Sequence, residues 1–300
     1  MQRRYHYKVM SKPFLSNDAA LVLQGGGSRG AFTAGVLDVL MEHMAFFPYV
    51  IGTSAGALNA VNYISGDVGR SRYVSTELIQ DKKFVSVSNI FLRGTAFDFT
   101  YLFHTVPKTK YPFNTGRYNT SSVEFYAATV SLDTGEPRYF LKGECKEYYK
   151  ALAASSSLPL ISRPVMVEGH RYLDGGVVAA TPFRKPLEDG ISKIVIVQTR
   201  PKGYRKKKTS MKKRVFAKIL YHRCPKFHAA YRLSGETYNK DMDEMEKLFE
   251  QGRVFIVRPD VNPNVRLIER DKDRLLDLYE EGRRIMEREL PALYKYLGVD

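Results

Sequence analysis

The chain has 300 residues, enough for one large α/β domain or two small ones with a substantial buried core. Its hydrophobic fraction of 44% fits a globular protein. No apolar run reaches the ~18 residues that span a bilayer, and two cysteines, Cys145 and Cys224, exclude a disulfide framework. The net charge of +15 calls for an anionic partner: nucleic acid, an acidic membrane face or an anionic substrate.

Met1 to Tyr7 open with charge and no apolar stretch behind them, which predicts a cytoplasmic chain without a cleaved leader. Residues 1–18 show no period and read as an N-terminal arm. Ala19 to Gln24 follow as a short buried strand, free of charge in the manner of a parallel sheet. It feeds the loop Gly25, Gly26, Gly27, Ser28, Arg29, Gly30. Phe32, Val36, Val39 and Leu40 then recur at helical spacing until Pro48. Next, Val50 and Ile51 run into Gly52-Thr53-Ser54-Ala55-Gly56, a strand end entering a Gly-x-Ser-x-Gly turn and an alanine-rich helix. That is the layout of a nucleophile elbow, in which the turn is too tight for side chains beside the serine and Ser54 is held strained with its hydroxyl outward.

The glycine loop also matches Gly-x-Gly-x-x-Gly, the dinucleotide fingerprint. A dinucleotide site wants a carboxylate near the end of the second strand, and here that strand ends in Gly52-Thr53-Ser54. No Gly-Lys-Ser/Thr follows, which excludes a Walker loop. The remaining functional reading is a run of backbone N–H groups offered to an anion beside Ser54, as an oxyanion hole is.

From Gly66 to Gly116 the chain is irregular and aromatic-rich, with Phe84, Phe91, Phe97, Phe99, Tyr101, Phe103, Tyr111 and Phe113, and is a candidate lid or acyl-chain pocket. Glu124 to Val130 and Arg138 to Leu141 read as two strands around a turn, and Tyr148 to Ala154 as a helix. Asp174, followed by Gly175 and Gly176, is by itself a turn former. Ile191 to Gln198 is a further apolar strand. The stretch Lys202 to Lys218 carries nine basic residues, expected as a solvated loop or as a contact with an anionic membrane surface. It lacks the interleaved aromatics of a stacking platform, so no nucleic acid is expected. A long helix is expected from Tyr231 onward, a strand over 253–259, and a charge-laced amphipathic helix around Leu275, Leu278, Gly282 and Ile285. The histidines show no metal-ligand spacing.

Three motifs in this order, Gly25 to Gly30, Gly52-Thr53-Ser54-Ala55-Gly56 and Asp174-Gly175-Gly176, resemble the patatin-like phospholipases, as do Ala154 to Pro159 and Thr181-Pro182. The resemblance covers roughly Ala19 to Arg200, with the later helices and Val254 to Pro259 similar to bacterial members. It implies a three-layer α/β/α fold with a mainly parallel sheet, made of an arm at 1–18, a catalytic domain at 19–200 and a basic loop with a helical extension at 201–300 on the same domain. It further implies a serine acyl hydrolase of lipid esters without cofactor. Ser54 would be the nucleophile, Asp174 its partner in a dyad, and Gly25 to Gly30 the oxyanion hole. The third motif reads Asp-Gly-Gly where many relatives have Asp-Gly-Ala, a change at a non-catalytic position. Two alternatives stand beside this reading: an α/β-hydrolase triad completed by His222 or His228, and a non-catalytic protein that binds lipid or membrane surface.

Overall fold

The computed structural model describes residues 16–86, 88–90 and 94–299. Most of the N-terminal arm and Phe91 lie outside the described residues. Strands β1 (Ala19–Leu23), β2 (Tyr49–Thr53), β3 (Glu124–Ser131), β4 (Pro137–Leu141), β5 (Val165–Val167), β6 (His170–Asp174), β7 (Lys193–Val197) and β8 (Val254–Val257) form one sheet. Its order is β5-β6-β3-β2-β1-β7-β8, with β4 also paired to β3. The run β3-β2-β1-β7-β8 is parallel throughout. β4 and β6 pair antiparallel to β3, and β5 to β6.

The helices are α1 (Gly30–Glu42), α2 (Ala55–Ser65), α3 (Arg70–Thr76), α4 (Tyr148–Ser155), α5 (Met211–Leu220), α6 (Pro225–Glu250) and α7 (Lys272–Leu297), with shorter turns between them. Strand alternation sorts the core into two layers. Ala19, Leu21 and Leu23 of β1 face a cluster with Phe32 and Leu40 of α1, Tyr63 of α2 and Leu278 and Ile285 of α7. Ala20 and Val22 face the opposite cluster with Tyr238, Met242 and Met245 of α6. The fold is therefore the three-layer α/β/α arrangement with a mainly parallel sheet, and the C-terminal helices cover both faces of it.

Three features depart from the sequence expectations. The β5–β6 hairpin was not anticipated, because β5 has only three residues and the exposed His170 and Arg171 hide the buried Leu173 that follows. The long helix starts at Pro225, not Tyr231, since proline at the first helical turn lacks only an N–H that would be unpaired anyway. The basic stretch is also not simply a solvated loop. From Met211 onward it is helix α5, and Lys202, Arg205 and Lys208 pair with Glu246, Asp243 and Glu236 of α6.

Candidate active site

β2 delivers Ser54 directly onto the N-terminus of α2. Ser54 has φ +56° and ψ −126°, a left-handed region that costs a non-glycine residue about 1–3 kcal/mol. The surroundings hold it there. Its N–H donates to Ser155 Oγ at 2.9 Å, and Ser155 Oγ donates to the Ala128 carbonyl at 2.6 Å. The flanking Gly52 and Gly56 let the backbones close: a Cβ at Gly56 would lie 2.4 Å from the Leu23 carbonyl oxygen.

Asp174 reaches the same place from the other direction. β2 runs parallel to β3 and ends with Thr53 opposite Ala128, whereas β6 runs antiparallel and ends with Asp174 opposite Thr129. Two strands of opposite sense thus terminate at consecutive rungs of β3, which brings together residues 120 positions apart. The Asp174 N–H donates to the Ser157 carbonyl at 2.9 Å, and its Oδ1 accepts the Gly176 N–H at 2.7 Å. Oδ2 is buried and has no completed hydrogen bond among the described residues. Burial pushes the Asp174 carboxyl up to about 6, while the Ser54 hydroxyl, the Gly176 amide and the Lys206 charge pull the other way. Gly175 packs against the Ala128 backbone of β3.

Of the six residues in the glycine loop, four spend their amides inside the fold. Gly25 donates to Ala180, Ser28 to Leu267, Arg29 to Gly26, and Gly30 to Gly27. The Gly26 and Gly27 amides have no acceptor among the described residues. Gly27 sits at φ +56°, and a Cβ there would meet the Leu267 carbonyl oxygen at 2.3 Å, so only glycine fits. The loop is pinned from two sides. Gln24 accepts from the Thr199 N–H at 2.7 Å and donates to Thr181 Oγ1 at 2.7 Å, and Ser28 Oγ accepts the Glu269 N–H at 2.8 Å.

Ser54 lies on the wall of two cavities. One, of about 70 Å³, is apolar and lined by Leu58, Val74, Ile79, Phe84, Phe97 and Phe99; a neighbouring cavity of about 300 Å³ shares Leu58 and Val74 with it. The other, of about 450 Å³, contains Ser54, Asp174, Gly26 and Gly27 together with Arg29 and Lys206. The Lys206 ammonium sits over the Tyr238 ring at 4.2 Å, and burial, with Arg29 as the next influence, lowers it to about 8. Burial and Arg200 likewise bring Arg29 down to about 10. Two desolvated cations with no carboxylate within ion-pair distance among the described residues make this arm attractive to an anion.

Ser155, Lys206 and the Leu267–Glu269 segment were missed from the sequence. Ser155 stood in a serine run without a marker for which hydroxyl turns inward, and Lys206 stood among eight other basic residues. His222 and His228 line neither cavity that reaches Ser54; His222 instead borders a separate one near Phe216.

A mostly parallel sheet with helices on both faces defines an α/β protein, here with a strained serine at a strand-to-helix turn. The chain belongs to the patatin-like phospholipase family, whose model matches residues 21–187. A second model, described as a domain of unknown function (DUF6363), matches residues 224–298. The chain is 33% identical over 195 residues to the uncharacterized protein YjjU of Escherichia coli K12, covering 63% of this chain and 54% of that protein. It is 30% identical over 178 residues to lysophospholipase nte1 of Aspergillus terreus, covering 56% of this chain and 11% of that protein. It thus spans about half the length of the bacterial relative and about a tenth of the fungal one. Among solved structures, VipD from Legionella pneumophila aligns with a TM-score of 0.47 at 10% identity, covering 92% of this chain and 67% of that one.

Proposed function

We propose that the protein is a serine acyl hydrolase that cleaves carboxylic esters of lysophospholipids or phospholipids through a Ser54–Asp174 dyad. One observation carries the reading: Ser54, the Asp174 carboxylate and the two unpaired amides of Gly26 and Gly27 border a single cavity. Asp174 takes the proton of the Ser54 hydroxyl as its oxygen bonds to the ester carbonyl carbon, and the carbonyl oxygen becomes an oxyanion. The Gly26 and Gly27 amides receive that charge, each such donor being worth about 10²–10³ in rate. The tetrahedral adduct collapses by expelling the alcohol, which takes the proton back from Asp174, and leaves an acyl ester on Ser54. Water then attacks the acyl carbon while Asp174 accepts its proton, and collapse releases the fatty acid as Ser54 regains its hydrogen.

The two arms of the site suit an amphiphilic ester. The phenylalanine-lined cavity together with its larger neighbour takes the acyl chain, and Arg29 and Lys206 face the phosphate of the head group. The net charge and the Lys202 to Lys218 stretch favour peripheral attachment to an anionic membrane surface. No helix among the described residues is long and apolar enough to cross a bilayer.

The test is hydrolysis of a lysophospholipid, a phospholipid and a short soluble ester by the wild type, Ser54→Ala, Asp174→Asn, His222→Ala and His228→Ala. The first two variants are expected to lose about 10³-fold or more in kcat on every ester, and the histidine variants to stay active. Full activity of Asp174→Asn together with an inactive histidine variant would establish the triad instead. A folded protein whose Ser54 resists a fluorophosphonate probe would be a non-catalytic lipid-binding protein.

A further inference from the structure

Helix α5 carries an exposure pattern that the catalytic site does not explain. Five of the eleven large apolar side chains exposed among the described residues fall on its ten positions: Met211, Val215, Phe216, Ile219 and Leu220. Met211 and Ile219 are 68% and 66% exposed, so these side chains project well clear of the protein. The spacing is helical: Met211, Val215 and Ile219 form one stripe, and Phe216 and Leu220 the next. The opposite side packs inward through Ala217, followed by the buried Tyr221. The remaining positions are Lys212, Lys213, Arg214 and Lys218, with no acidic residue on the helix and no ion pair to these four among the described residues.

We propose that α5 is an interfacial helix, which lays Met211, Val215, Phe216, Ile219 and Leu220 into the outer part of an anionic lipid bilayer while its lysines hold the headgroups. The sequence pattern alone suggested only charge attraction by the stretch as a whole. The structure divides that labour: Lys202, Arg205 and Lys208 are tied to α6, and the free charges share α5 with its apolar side chains. A surface that is apolar and purely cationic matches acyl chains beneath anionic headgroups. A second copy fits it poorly, because a two-fold contact sets the same patch against itself and would oppose the four cations to their equals. The location also serves the reading proposed above, on which this inference rests for its purpose. Lys213 lines the cavity that holds Ser54 and Asp174, so α5 borders that cavity.

Sedimentation with vesicles of phosphatidylcholine, with and without phosphatidylglycerol, tests the proposal in a Ser54→Ala background that leaves the lipid intact. Val215→Asp with Ile219→Asp, both at exposed positions, is expected to lower binding to the anionic vesicles by about tenfold or more at low and high salt alike. Lys212→Glu with Lys218→Glu is expected to lower it at low salt alone, because surface attraction is screened over ~10 Å at 0.1 M. Both pairs, placed in the wild type, should hydrolyse a short soluble ester at the parent rate, which verifies the fold. Vesicle binding by the aspartate pair equal to the parent's, or absence of binding by the parent, would overturn the proposal. A solution dimer that the aspartate pair dissolves would assign the face to a second copy and overturn it as well. Absence of ester hydrolysis by the wild type would instead sink the catalytic reading and leave the vesicle result to be judged alone.

Discussion

A free carboxylate is too acidic to draw a proton efficiently from a serine, and in the proposed mechanism the burial of Asp174 offsets that by withholding water. Burial raises the Asp174 carboxyl to about 6, which makes it a stronger base for the proposed proton transfer than a free carboxylate. Because the charged form is the base, hydrolysis of a soluble ester should climb through an acid limb near pH 6. Lys206 favours that charged form, so Lys206→Met should move the limb to higher pH in a pH–kcat/KM profile. The same variant should raise KM for a phosphate-bearing lipid more than for a neutral ester. In the wild type that preference should fade above pH 8, where Lys206 sheds its proton. A limb and a KM ratio unmoved by the substitution would deny Lys206 both roles. At this scale the two candidate residues, Ser54 and Asp174, stood out in the sequence because their glycine neighbours mark them. Lys206 and Ser155 were not, since nothing in a row of like residues shows which one turns inward.

Between elements, the tightest joint is the crossing of α1 and α7. Gly35 and Gly282 let the two backbones touch, and a Cβ at Gly282 would lie 2.2 Å from the Phe32 carbonyl oxygen. Beside this contact the buried Asp38 accepts from Tyr279 Oη at 2.7 Å, a polar link across the same interface. Alanine in mid-helix ordinarily gains about 1 kcal/mol over glycine. Here overpacking should reverse the sign, so that Gly282→Ala destabilises by about 1–3 kcal/mol in urea unfolding. An unchanged or higher midpoint would refute the close-contact argument. The strands β1, β2, β3, β7 and β8 were legible as short runs rich in apolar residues, as burial on both faces requires. The β5–β6 hairpin and α5 escaped notice for opposite reasons: the first is too short to show alternation, and the second wears its apolar side chains outside among lysines.

Taken whole, the molecule depends on its last hundred residues for more than a covering layer. They supply β8 beside β7, the helices over both faces, Lys206 in the cavity that holds Ser54 and Asp174, and the Leu267 and Glu269 contacts that fix the glycine loop. A chain ending at Arg200 should therefore be insoluble or fail to label with fluorophosphonate at Ser54; a soluble, labelled fragment would show that 19–200 stands alone. The motifs of the first two hundred residues announced the family, whereas this dependence arises from long-range packing that leaves no local mark. The sheet has one more consequence. Ser54 follows an interior strand, but Asp174 is carried by a hairpin whose outer member, β5, has no further strand beside it among the described residues. Sheet margins breathe at lower free energy than centres. Amide hydrogen exchange should therefore run faster through β5 and β6, which carry Asp174, than through β1 and β2; equal protection of the two pairs would refute it.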